Sequence, residues 1–216
     1  MEFRFEDILK KIIPGSIVFI GVLLIILNQI TFDCMIEILK SDLKEYSEIL
    51  LFIILIVSYL FGYLNDSISS TFENYILYKI INKPSYYLLT NSCKINKLKI
   101  ANLDEVLNKI NEKFKIKIQI LEKTDLNSSQ AFKLINQCKK DDDSLKEYYF
   151  SYIFSRNIFF AFIFLSIAIV TSIHLNLAWY SYLILLLILI ILYIRRYEKS
   201  FYYSRKVIIG FLHTKY

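Results

Sequence analysis

The chain has 216 residues, 56% of them hydrophobic, and a mean hydropathy of +0.44. Soluble domains hold roughly 45–50% apolar residues, and here the surplus sits in a few long runs between charged stretches, so a single soluble core is excluded and an integral membrane protein is indicated. The formal charge of +6 matches anionic lipid on one membrane side, and nucleic acid is not an expected partner.

Residues Met1 to Lys11 form an amphipathic lead-in, with Phe3 and Ile8 suited to the lipid surface and Arg4, Lys10 and Lys11 to headgroups. Glu2, Glu6 and Asp7 stand among its basic residues, and no small-residue cleavage motif follows, so the first apolar run is expected to be retained. That run predicts a first span at about residues 12–30. Pro14 is read at the start of the span, where its missing N–H has no helical partner to lose. Gly15, Ser16 and Gly21 are small enough to let another helix come close.

The next segment holds Asp33, Glu37, Asp42, Glu45 and Glu48 against only Lys40 and Lys44, which places it outside. Met35, Ile36, Leu39 and Leu43 recur at helical spacing and predict a short interfacial helix there. A second span is expected at about residues 49–64. Phe61, Leu64, Ile68, Phe72, Ile76 and Ile80 keep a three-to-four spacing past its end, so the helix continues until Lys83-Pro84 stops it.

The polar middle, from Lys83 to about Asp143, is rich in lysine and reads as cytoplasmic. Asn102 and Glu105 resemble a capping box ahead of Leu103, Val106, Leu107 and Ile110. Phe114, Ile116, Ile118 and Ile120 alternate like a strand, or else distort the preceding helix. Ser128 or Ser129 caps a further short helix through Ala131, Leu134 and Ile135. The region is near the lower size limit for a self-sufficient core, so it is expected to pack against extensions of the membrane helices.

Asp141, Asp142 and Asp143 are read as the start of a long helix, since carboxylates favour a helix N-terminus; a metal site there is disfavoured because no His accompanies them. That helix enters the membrane as a third span at about residues 158–177, and the uncharged loop after it returns the chain as a fourth span at about residues 179–194. Trp179, Tyr180 and Tyr182 mark one rim. Arg156, Arg195 and Arg196 are predicted to anchor the inner rim, and the tail beyond them is amphipathic, basic and aromatic. The resulting topology is one membrane domain over residues 1–216, with both termini cytoplasmic and a cytoplasmic insertion at about residues 65–156.

Between their rims the predicted spans hold no ionisable group except His174, which argues against a proton pump or a secondary transporter. Ser58, Tyr59, Ser166, Thr171 and Ser172 are the polar candidates within the spans, either bonding between helices or lining a passage. Cys34, Cys93 and Cys138 lack metal-ligand spacing, His213 has no identifiable partner, and no hydrolase, phosphate-loop or dinucleotide motif occurs. No catalytic residue, cofactor site or metal ligand is therefore predicted, and the chain reads as a non-enzyme.

Ile13-Pro14-Gly15 in the first span, Ser58-Tyr59 and Gly62 in the second, the Lys-rich middle, and a closing hairpin ending in Arg195-Arg196-Tyr197 together carry a resemblance. The chain resembles small four-helix bacterial membrane proteins of phage-defence loci, such as the membrane component of the Kiwa system and membrane accessories of some CRISPR loci. The resemblance covers the chain at the level of topology and transfers no functional residue. It implies a protein of the bacterial inner membrane that senses membrane disturbance or oligomerises to make the membrane leak, often beside a cytoplasmic protein partner. An immunity-type membrane protein and an accessory subunit of a transporter are the other classes this topology allows. The expected architecture is all-α, with four transmembrane helices extended into the cytoplasm around a small helical region.

Overall fold

The computed structural model describes residues 5–27, 47–90, 100, 102–114, 125–138, 143–172 and 179–213. Among these the fold is all-α. Helix α1 is Phe5–Leu27; α2 is Ser47–Phe72, prolonged by a π turn at Glu73–Leu77 and a last α turn at Tyr78–Ile80. Then come α3 (Pro84–Leu89), α4 (Leu103–Phe114), α5 (Asp125–Cys138), α6 (Asp143–Thr171) and α7 (Trp179–Leu212). Helices α1, α2, α6 and α7 are long and apolar enough to cross a bilayer, so the protein is a multi-pass helical membrane protein. The expected outer interfacial helix, the alternating residues after Phe114, Asp141, Asp142 and His174 lie outside the described residues. Lys113 and Phe114 themselves belong to α4.

Local chemistry sets the helix ends. Lys83 is extended ahead of Pro84, which then occupies the first turn of α3, so one dipeptide both ends the long helix and opens the next. Before α4 the Asn102 amide donates to Glu105 at 3.3 Å while the Val106 N–H bonds the Asn102 carbonyl at 3.2 Å. Helix α6 begins at Asp143, the last residue of the acidic run.

The chain divides into two compact units. The first is Met1–Thr71 with Ile153–Ile194, and the second is Phe72–Tyr152 with Arg195–Tyr216. Helices α2, α6 and α7 contribute residues to both.

In the first unit, α2 is apolar outside and polar inside. Leu64 and Ile68 are exposed, while Ser58, Gly62, Asn65 and Ser69, at the same three-to-four spacing, are buried. Hydrocarbon has no preference for burying leucine, so a membrane helix turns its small and polar residues inward and its apolar ones to lipid. The apolar periodicity of this stretch is thus real, but it marks the outer face. Along residues 179–194, α7 likewise exposes Leu183, Leu187, Ile190 and Ile194.

Helices α1 and α2 cross with backbone against backbone. A Cβ on Gly15 would overlap the Ser58 carbonyl oxygen, and one on Gly62 would overlap the Lys11 carbonyl oxygen. Only glycine allows this approach. Phe19 and Phe61 close the crossing with ring centroids 5.9 Å apart. Pro14 corrects its sequence reading: α1 begins at Phe5, so the proline lies inside the helix, where it removes one backbone donor to the turn before it. The same stretch supplies the Lys11 carbonyl that Gly62 meets.

The second unit has an ordinary apolar core. Leu88 and Leu89 of α3, Val106 and Ile110 of α4, Ala131 and Ile135 of α5, and Leu145 of α6 meet Phe201, Val207, Ile208 and Phe211 of α7. The α7 tail continues from the fourth span as expected, and its apolar stripe forms the centre of this unit. Lys109 of α4 donates to the Leu212 carbonyl at 2.7 Å, satisfying an orphan acceptor at the end of α7.

Candidate functional site

The structure disperses the polar candidates of the spans. Ser166 and Thr171 bond carbonyls of their own helix, Phe162 at 2.6 Å and Ile167 at 2.9 Å. Ser172 does the same to Ala168 at 2.8 Å and also reaches the Leu24 carbonyl of α1 at 3.4 Å. Tyr59 has Lys11 over its ring at 5.9 Å, with the same ammonium closer to Tyr63, at 4.3 Å. Ser58 alone carries a buried hydroxyl with no hydrogen-bond partner among the described residues. Back-bonded hydroxyls satisfy themselves within one helix, and of these residues Ser172 also bonds across to α1.

The three predicted arginine anchors also separate. Arg195 is exposed and pairs with Glu198 one turn on, at 3.5 Å. Arg156 and Arg196 are buried in protein, each on a carboxylate that the apolar spacing of α2 concealed.

In the first unit, Arg156 donates to Asp66 at 2.6 Å. The Asn157 amide donates to the same oxygen at 3.0 Å, and its own oxygen accepts from Ser69 at 2.8 Å. Asn65 donates to the Asn157 carbonyl at 2.9 Å. Asn65, Asp66 and Ser69 of α2 and Arg156 and Asn157 of α6 thus form a closed polar clamp, with Asp66 about a third exposed at its edge.

In the second unit, Glu73 and Arg196 are almost completely enclosed, at 1% and 3% side-chain exposure. Arg196 donates through Nε at 2.8 Å and through a terminal nitrogen at 2.5 Å, both to Glu73 Oε1. The other carboxylate oxygen accepts from the Tyr152 hydroxyl. Tyr78 stands 3.4 Å from that hydroxyl and continues the chain. Glu73 opens the π turn, where Tyr78 N–H bonds the Glu73 carbonyl five residues back. A π turn inserts one residue into helical register, and such bulges concentrate at functional sites. Here it brings Glu73 and Tyr78, five apart, into one network. This pair of carboxylate oxygens with both partner sets filled is a satisfied buried charge, the condition under which such a pair persists.

Two cavities lie in the second unit. One, of about 580 Å³, is bounded by Lys133, Gln137, Lys146, Tyr149 and Phe150 among others. The second, of about 290 Å³, is bounded by Tyr78, Tyr152, Lys83 and the hydroxyls of Ser85, Ser200 and Ser204. Lys133, Asn136 and Tyr203 border both. Among the described residues, no carboxylate is on either lining. Tyr203 donates to Asn136 at 2.8 Å and stacks on Tyr152 with centroids 5.9 Å apart. The small cavity therefore shares its wall with the Glu73 network through Tyr78 and Tyr152.

Glu73 and Tyr152 escaped sequence reasoning because apolar and aromatic neighbours surround them, and Asp66 because its partner Arg156 is 90 positions away. The signal that finds them is the stripe Ser58, Gly62, Asn65, Ser69, which reaches Glu73 four residues later. Comparisons of the chain with protein-family models, with curated proteins and with solved structures return no match.

Proposed function

We propose that the protein is a non-enzymatic relay in the bacterial inner membrane, of the anti-phage defence type, in which a change in the second unit or in the bilayer is converted into self-association of the spans and altered permeability. In this reading both termini and the second unit are cytoplasmic, and the lysine-rich middle and Arg195 supply the positive side. The observation that carries the reading is the pair of clamps. Helix α2 is tied to α6 by Asp66 and Arg156 in the first unit, and to α7 and α6 by Glu73, Arg196 and Tyr152 in the second. Each of these helices also runs through an apolar stretch suited to lipid. A displacement of any one of them must break a charge pair or a hydrogen bond to a buried charge, and in this reading the assembly switches between two discrete arrangements. The exposed apolar faces of α2 and α7 are where further copies associate.

The test is infection of bacteria that carry the gene with its natural neighbours. Reduced phage plating, together with propidium uptake after infection that is lost on deletion of this gene, supports the reading. Unchanged plating and unchanged dye exclusion across a phage panel would overturn it.

A further inference from the structure

We infer that the π turn at Glu73–Leu77 is a register switch, which passes into the ordinary α register by turning the residues after it and so takes Tyr78 off the Glu73 network. A π turn winds one residue more than an α turn, is the rarer form, and occurs mostly as a single turn inside an α-helix at functional sites. The α register is thus the competing arrangement of the same residues. Three features, all within the second unit, bring both registers within reach.

The first is position. Past the turn the helix holds only Tyr78–Ile80; Ile81 is then extended, and Asn82 and Lys83 belong to no helix. Pro84 opens α3, whose Leu88 and Leu89 are fixed in the core. An extra residue in the middle of a long helix can only migrate along it, whereas here it can pass into the joint at residues 81–83 while one turn rotates. Lys79 and Ile80 are exposed, Ile80 at 77%, so their rotation breaks no core contact.

The second is how unequally the two ends are held. Glu73 is anchored by Arg196 and by the Tyr152 hydroxyl. Tyr78 is held by the Tyr152 hydroxyl at 3.4 Å, long for a bond between hydroxyls, with Ser200 beside it and Lys83 over its ring at 5.6 Å. The charge pair therefore keeps its place while the far end turns.

The third is what the turn exchanges. In the π register Glu73 and Tyr78, five apart, meet in one network. At 3.6 residues per turn, five residues carry Tyr78 about 140° around the helix from Glu73, and four bring Leu77 within about 40° of it. The switch replaces a phenol by Leu77 and swings Tyr78 to the side of Asn74 and Tyr75, which are exposed. Tyr78 also bounds the cavity of about 290 Å³, beside Tyr152. Its departure opens that cavity toward Tyr152 and the carboxylate behind it, so the register decides whether the Glu73–Arg196 pair is sealed. This goes beyond the relay reading and does not need it, because distances inside the second unit report the register whether or not the spans leak.

Spin labels at Lys79→Cys on the turning segment and at Glu147→Cys on α6, both exposed, are placed in the full chain with Cys34, Cys93 and Cys138 replaced by alanine. The distance between them is read by pulsed electron resonance in nanodiscs, and two distances are expected. Tyr78→Phe removes the hydroxyl contacts and should raise the α register relative to the π register by about fivefold, the effect of one neutral hydrogen bond. Deleting Tyr75, an exposed residue of the turn, leaves Glu73 and Tyr78 four apart on one face of a plain α-helix, so a single distance should remain. One distance in the intact chain that Tyr78→Phe leaves single would overturn the proposal, whether or not the deletion variant folds. A folded deletion variant that keeps both distances would overturn it equally, because the two forms would then not be two registers of this turn.

Discussion

At the scale of single residues, the two clamps are not equivalent, and burial decides which matters more. Asp66 is about a third exposed, so water can take over part of Arg156's role, and the pair is worth up to about 1 kcal/mol, as at a surface. Glu73 and Arg196 have no such recourse. Removing one partner strands the other charge, at a cost of about 3–5 kcal/mol, whereas replacing both by neutral side chains is close to neutral. Glu73→Gln should therefore lower the unfolding temperature in detergent far more than Asp66→Asn, and adding Arg196→Met to Glu73→Gln should recover most of the loss. Equal effects of Glu73→Gln and Asp66→Asn, or a double substitution worse than either single one, would contradict this. Tyr152→Phe leaves one carboxylate oxygen without its donor and is expected to cost about 1.5–3 kcal/mol in the same assay. Sequence reasoning reached Arg156 and Arg196 as membrane anchors but not their acidic partners: Glu73 stands between Phe72 and Ile76 in a stretch whose apolar period masks it, and its partner is 123 positions away.

At the scale of elements, what each helix buries depends on which unit its residues belong to. The crossing of α1 and α2 rests on Gly15 and Gly62, whose neighbours are backbone atoms that cannot yield. Alanine at either should separate the helices, with a cost at or above the 1–3 kcal/mol of ordinary overpacking. Gly21→Ala should be milder, because its added methyl meets the Phe164 ring, 2.9 Å away, which can turn. Cysteine cross-linking between α1 and α2 reads the difference: efficiency should fall for Gly15→Ala and Gly62→Ala and persist for Gly21→Ala. Along α7 the contrast is between stretches. Phe211→Ala removes a fully buried ring from the core of the second unit and should cost about 3–5 kcal/mol, while Leu187→Ala, facing outward, should change stability little; thermal unfolding in detergent compares them. The number of spanning helices was legible because hydropathy over some twenty residues depends only on composition. The inward face was not, because the same three-to-four period describes a stripe facing core in water and lipid in a membrane. Small residues on the opposite stripe, Gly62 and Ser69, are what distinguish the two. What the tail after Arg196 packs against was not legible for a related reason: Phe201, Val207 and Phe211 at helical spacing suit an interface as well as a core, and their neighbours on α3 to α5 are distant in sequence.

At the scale of the molecule, helices α2, α6 and α7 each contribute residues to both units, and each carries a charged member of a clamp: Asp66 and Glu73 on α2, Arg156 on α6 and Arg196 on α7. Net charge and lysine distribution indicated a sidedness but could not reveal the clamps, because pairing between α2 and distant α6 and α7 leaves no mark on local composition. The central claim is that the clamps hold a closed arrangement whose loss is felt by the spans. It is tested most directly by dye release from liposomes reconstituted with the intact protein, with Glu73→Gln, and with the Glu73→Gln, Arg196→Met double variant, each checked for mass in nanodiscs. The account predicts tight liposomes for the intact protein, release with a larger assembly for Glu73→Gln, and a return toward tightness for the double variant. A folded Glu73→Gln protein that keeps the mass and the tightness of the intact chain would contradict it.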